Sequence, residues 1–185
     1  KTKALQRAIL RNVLAPLRAH AAATGFERGL SIVDNALPHA GRPVVVRMDV
    51  VDFFPATRAE RVEAYLRRVG WDAEAAKLLT ALVTHDGGLP QGAPTSPRLA
   101  NLVNFGLDEG LARLAARRRA VYTRYADDMT FSLSRDTGRR ARGLVSSVRK
   151  ILLRHGYVVH GRAKTSIRRA HLRQVAPGLV VNDGT

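Results

Sequence analysis

Tyr122-Thr-Arg-Tyr-Ala-Asp-Asp-Met-Thr-Phe-Ser132 sets two adjacent carboxylates between two short runs of strand-forming residues. Val121, Tyr122, Thr123 and Tyr125 precede the pair, and Thr130 and Phe131 follow it. Asp is a poor strand residue and a good turn residue, so Asp127-Asp128 is expected at the tip of a tight hairpin. Neighbouring aspartates repel unless a cation lies between them. Such a pair suits oxygen-ligated Mg²⁺, which needs only one or two carboxylates besides substrate phosphates. A solvated turn is the plain alternative. The aromatic and β-branched flanks bury a hairpin on both sides and weigh against it. A third carboxylate elsewhere in the chain would decide.

The run Val44-Val-Val-Arg-Met-Asp-Val-Val51 supplies one. It has the length and β-branched content of a core strand, and Asp49 sits near its C-terminal end, where sheets present functional groups. A charge inside such a run is costly unless paired or metal-bound. Phe53-Phe54-Pro55 ends the strand, Thr57-x-x-Glu60 reads as a capping box opening a helix to about Arg68, and Asp72 caps a helix to about Thr84. Gly87 to Pro97 is a Gly/Pro-rich loop, with Ser96 as N-cap and Pro97 in the first helical position. One helix is expected from there to Arg118. A rigid loop feeding a helix N-terminus can serve phosphates or bases, or be a mere connector; Gln91 between Pro90 and Gly92 leans to the former.

Towards the N-terminus, residues 3–19 predict an amphipathic helix with Leu5, Ile9, Val13 and Leu17 on one stripe and Pro16 near its end. Ser31 to His39 predicts a short helical or turn segment. Beyond the hairpin, 138–155 reads as a basic helix closed by Gly156. Strands are expected over Tyr157–His160, Thr165–Arg168 and Leu179–Asn182. Lys164 lies in the loop Gly161-Arg-Ala-Lys-Thr165, as a solvated or a functional lysine.

Composition narrows the class. The chain has 185 residues, 45% hydrophobic and 25% charged, an ordinary globular balance that allows one domain or slightly more. No apolar run approaches the ~18 residues needed to span a bilayer. No signal peptide is visible. The absence of Cys excludes disulfides and zinc–thiolate sites and is compatible with a reducing compartment. Lys and Arg total 31 against 15 Asp and Glu, a net charge of +16 that calls for a polyanionic partner, nucleic acid first. Strands alternate with helices, an α+β pattern, and three carboxylates from neighbouring strands could meet at one sheet end. That is the requirement for two-metal phosphoryl transfer.

The motifs together resemble a reverse transcriptase of the bacterial retron type. Val46-Arg-Met-Asp-Val-Val-Asp-Phe-Phe-Pro55 is similar to that family's first catalytic motif. Leu89-Pro-Gln-Gly-Ala-Pro-Thr-Ser-Pro-Arg-Leu-Ala-Asn101 is similar to its template- and nucleotide-positioning motif, and Tyr125-Ala-Asp-Asp128 to its metal-binding box. Asn35-Ala-Leu-Pro-His39 matches the retron signature Asn-Ala-x-x-His. The family's later Val-Thr-Gly reads here Ala176-Pro-Gly178.

The resemblance implies a polymerase palm, an antiparallel sheet with helices on one face, carrying partial fingers and no thumb. It implies an N-terminal segment over 1–45, and a palm over 46–185 with the fingers–palm loop at 85–97. Asp49, Asp127 and Asp128 become ligands of two Mg²⁺ ions, replaceable by Mn²⁺, with the Val50 carbonyl in addition. Gln91 and Gly92 become contacts to nucleotide and templating base, Phe54 a floor under the sugar that excludes a 2′-hydroxyl, and Asp52 a contact on the 3′-hydroxyl side. Tyr125 joins the substrate contacts, and Lys164 becomes the residue that protonates pyrophosphate. The implied partners are an RNA template, a DNA or RNA primer, deoxynucleoside triphosphates and a cognate structured RNA, in the bacterial cytoplasm, with antiviral defence among the settings and no membrane. An RNA-dependent RNA polymerase palm and a non-catalytic basic RNA-binding palm are the alternatives.

Overall fold

The computed structural model describes residues 2–135, 138–161 and 164–182. By internal contacts the chain divides into two compact units. One unites the N-terminal residues up to His20 with Asp52–Phe105; the other unites Ala21–Val51 with the chain from Gly106 onward.

The second unit is built on a four-stranded antiparallel sheet, β1 Val44–Asp49, β2 Ala120–Tyr125, β3 Asp128–Leu133 and β4 Thr165–Arg169, in the order β2-β3-β1-β4. The expected α+β class and antiparallel sheet are thus present. Val44, Val45, Val46 and Met48 are buried, as a strand between two others requires. Against β1 lies α8, Gly138–Arg154, which buries Ala141, Leu144, Val148 and Leu152 at helical spacing and ends at Gly156 with φ +79. α7, Phe105–Arg117, buries Leu107, Leu111 and Ala115. α2, Ile32–Ala36, opens on a full capping box between Ser31 and Asp34 and runs into a 3₁₀ turn, Leu37–His39. The expected strand over Tyr157–His160 is not formed. Only Val159 bridges to Val50, through Val51 N donating to the Val158 carbonyl and His160 N to that of Asp49, and β1 itself ends at Asp49. Leu179–Val180 forms β6 with β5, Val175–Ala176, a two-stranded ribbon shorter than predicted.

The first unit is helical. α1, Thr2–Ile9, continues into a π-helical turn over Leu10–Leu14, where Ala15 N donates to the Leu10 carbonyl. The extra residue in that turn shifts the buried stripe. Ile9 and Leu14, five apart, are inside with Gln6, while Leu5 is exposed. α3, Phe53–Ala56, is a single turn. α4, Ala59–Arg68, has Arg58 as N-cap, not Thr57, whose hydroxyl donates instead to the Phe53 carbonyl; the capping box is therefore absent. α5, Ala73–Val83, is capped by Asp72 as expected. α6, Ser96–Val103, has Thr95 as N-cap; Ser96 lies within the helix and donates to the Pro90 carbonyl. The long helix expected to Arg118 breaks at Asn104, whose amide donates back to the Ala100 carbonyl and whose oxygen accepts from Arg61. Among the described residues no helix is long and apolar enough to cross a membrane.

Candidate active site

The antiparallel register of β1 and β3 sets Asp49 directly opposite Asp128. The hairpin closes through two residues, Ala126 and Asp127, so its tip lies one residue earlier than predicted and Asp128 opens β3. The Asp127 carbonyl accepts from Val50 N at 3.1 Å, which ties the turn to the end of β1. All three carboxylates therefore belong to one end of one sheet. Burial, and after it the charges of Asp49 and Asp128, hold the Asp127 carboxyl above its ordinary range against the pull of a hydrogen bond from its own backbone.

Cations of the chain itself answer part of this charge. Arg47, two residues before Asp49 and on the same face, forms an ion pair with Asp128. Lys164 Nζ lies 3.3 Å and His160 Nε2 3.1 Å from the same oxygen of Asp49, and 3.2 Å from each other. Arg47, Met48, Asp49, Asp128, Lys164 and Ser166 line a cleft of about 200 Å³. With Asp128 turned to Arg47 and Asp49 to Lys164, no group of three or more His, Asp or Glu side chains among the described residues is arranged to hold a metal ion. The donor set is nevertheless that of a hard divalent cation, all carboxylate oxygen in a repulsive cluster. Of the loop 161–164, Arg162 and Ala163 lie outside the described residues. Sequence reasoning missed Arg47 and His160. For Arg47 a signal was present, a second charge on the Asp49 face of an apolar strand.

Beneath the hairpin lies a wholly buried polar cluster. Arg124 donates from Nε and Nη2 to the two oxygens of Asp108 at 2.8 and 2.6 Å, and from Nη1 to the Ala126 carbonyl at 3.0 Å. Tyr122 donates to Asp108 at 2.8 Å. Burial, then the Asp108 charge, push the Tyr122 hydroxyl well above its ordinary range, so it remains a donor. This cluster grips the turn residue beside Asp127, and Ala126 is held there at φ +54. It too was missed, although Asp108 among Leu107 and Leu111, and Arg124 between strand residues, were charges in apolar settings that needed partners.

Of the Asn35–His39 signature, the matching residues Asn35, Ala36 and His39 are buried, while Leu37 and Pro38 between them are exposed. His39 contacts the hydroxyls of Ser132 and Thr123 at 2.8 Å each, joining β3 and β2. Burial, and then the positive charge of Arg42, lower its imidazole to about 4, so it is neutral near pH 7. Asn35 donates to the Thr24 hydroxyl at 2.7 Å.

The other predicted site residues fall in both units. Val50 and a half-buried Tyr125 stand beside the carboxylates in the sheet unit. Asp52, Phe54, Gln91 and Gly92 belong to the helical unit. Asp52 is exposed at φ +46 before α3; Phe54 is half-buried while Phe53 is core. Gln91 is exposed, as is Gly92 at φ +78.

No model of a known protein family matches the chain. Individual proteins do. The chain is 39% identical over 206 residues to the Mx162 retron reverse transcriptase of Myxococcus xanthus, covering 97% of this chain and 42% of that protein. It is 37% identical to the Ec86 retron reverse transcriptase of Escherichia coli (97% and 55%) and 37% identical to the Mx65 enzyme of Myxococcus xanthus (98% and 46%). Relatives alike over nearly the whole of this chain support a reverse transcriptase, and more narrowly one of the retron type. The chain spans about half the length of the curated relatives it matches.

Proposed function

We propose that this chain is the catalytic core of an RNA-directed DNA polymerase, a palm with part of its fingers, which adds deoxynucleotides to a DNA or RNA primer on an RNA template. The observation that carries the reading is Asp49 opposite Asp128 with Asp127 in the adjoining turn. Retron enzymes as relatives favour DNA synthesis over the RNA-polymerase and non-catalytic readings. Asp49, Asp127, Asp128 and the Val50 carbonyl would hold divalent cations, Mg²⁺ or Mn²⁺. Bound there, the cations supply activation of the primer 3′-hydroxyl and charge neutralisation at pyrophosphate.

The chain's own residues do the rest. Arg47 and Lys164 hold the carboxylates in place until cation and triphosphate arrive, then exchange carboxylate for phosphate oxygen. Lys164 Nζ gives its proton to the departing pyrophosphate. Phe54 excludes a 2′-hydroxyl, Asp52 faces the 3′-hydroxyl side, and Gln91 with Gly92 orients the nucleotide on its templating base. The basic surface holds template–primer and a cognate structured RNA, in the bacterial cytoplasm.

Primer extension on an RNA template tests this, with dNTPs or NTPs, with Mg²⁺ or chelator. Metal-dependent incorporation of dNTPs that Asp49→Asn and Asp127→Asn abolish is the expected result. Incorporation unaffected by either substitution would overturn it.

A further inference from the structure

The free edge of β2 carries a short strap. Arg124 N donates to the Ala22 carbonyl at 2.7 Å, Thr24 N to the Arg124 carbonyl at 3.0 Å, and Ala23 forms a parallel bridge with Arg124. Gly25 follows, so closely packed that a Cβ there would stand 2.9 Å from Ala126 N and 3.1 Å from Tyr125 Cα, both backbone atoms that cannot give way. The strap is thus fixed in register on the metal-box hairpin. The next residue is Phe26. It is 54% exposed, its ring centroid lies 5.4 Å from that of Tyr125, and its φ is +61. A bulky residue in the left-handed region is a local cost, and an exposed one recovers little of it by burial.

We infer that Phe26, with Tyr125, forms a stacking platform for a nucleic-acid base beside the Asp127-Asp128 turn. An exposed Phe26 ring backed by the half-buried Tyr125 offers a flat π-face to any base without reading its edges, which is what a sequence-tolerant strand contact needs. The net charge of +16 and the exposed Arg28 two residues on match the phosphates that accompany a base. The inference rests on the polymerase reading for the identity of the strand, and on Phe26 itself for the contact.

The test uses the full chain and an RNA template–DNA primer carrying 2-aminopurine, either at the primer 3′ terminus or in the adjoining template position. It is done without added metal, so that no turnover occurs. Wild type and Phe26→Trp should quench the probe in one of the two placements, which identifies the strand. Phe26→Ala and Phe26→Leu should lose the quenching and weaken binding by ~5- to 100-fold, the usual scale for one base–aromatic stack. Phe26→Asn should lose affinity while its melting temperature stays level or rises, because Asn tolerates the left-handed region. A purely structural Phe26 would move both together. Retained quenching and affinity in Phe26→Leu would overturn the platform, and so would a Phe26→Asn protein that loses affinity only as it loses stability. If wild type extends primers while Phe26→Ala binds equally well, the platform alone falls; if wild type binds no template–primer, the polymerase reading falls with it.

Discussion

Asp108 and Arg124 face each other as a fully buried, two-pronged ion pair, and the third arm of the same guanidinium holds the carbonyl of Ala126 at the hairpin tip. Removing one partner leaves the other charge stranded without water. Asp108→Leu should therefore destabilise the chain by about 3–5 kcal/mol, whereas Asp108→Leu combined with Arg124→Met should recover much of the loss. Denaturant unfolding of the two variants measures this. A single variant as stable as wild type would show that the pair is dispensable. In the double variant the Ala126 carbonyl loses its donor, so polymerisation should fall even where stability is regained.

Asp127→Asn should cost more than ~10³-fold in nucleotide addition, the scale of electrostatic transition-state terms. The same change removes one of three repelling charges, so the melting temperature should rise. Millimolar Mg²⁺ should stabilise wild type, by roughly 2.7 kcal/mol at a hundredfold excess over Kd, and Asp127→Asn much less. Activity above a tenth of wild type, or equal stabilisation of both proteins, would remove Asp127 from the metal-binding set.

His39 predicts a pH dependence of stability. Its imidazole is lowered from 6.5 to about 4 by burial and then by Arg42. Between those values the unfolded chain binds the proton and the folded one does not, so stability is complete above pH 6.5 and falls as pH drops towards 4. The full loss is about 3 kcal/mol. His39→Gln should flatten that limb in chemical denaturation at pH 4.5 and 7. An unchanged slope would mean that other groups govern it.

Phe54→Val should admit ribonucleotides. Phe53 is core and Phe54 half-buried, which leaves Phe54 the ring free to face a sugar. A buried, unpaired hydroxyl costs about 1–3 kcal/mol, and ~1.4 kcal/mol is tenfold in rate, so the dCTP/CTP preference should drop by at least about tenfold to a hundredfold. An unchanged preference in an active Phe54→Val protein would exclude the gate.

What the sequence made legible follows from short-range rules. The β1 run, the hairpin, α8 with Gly156 and the cap at Asp72 are local patterns, and they formed where pattern and propensity agree. Asp49 and Asp128 were identifiable as charges in strand-forming surroundings. What stayed hidden was set by competing hydrogen-bond partners, some one helical turn back and some far away in sequence. Thr57 caps nothing because its hydroxyl finds the Phe53 carbonyl, and Asn104 breaks a helix because Arg61 and Ala100 engage its side chain. Arg47 and His160 gained meaning only when the register of β1 with β3, and the return of the chain after α8, brought them to the carboxylates.

The strap over β2 has a consequence for how the protein behaves at high concentration. A sheet edge with unpaired N–H and C=O groups is a template on which a second chain can add a strand. On β2 the groups of Arg124, one residue before the strand's C-terminal end, are already taken by Ala22 and Thr24. On the opposite margin, β4 ends in Arg168 and Arg169, whose charges repel a like strand. Displacing the strap, as Gly25→Val should, would expose an edge strand beside a hairpin rich in aromatic and β-branched residues, and so turn the sheet into a nucleus for aggregation.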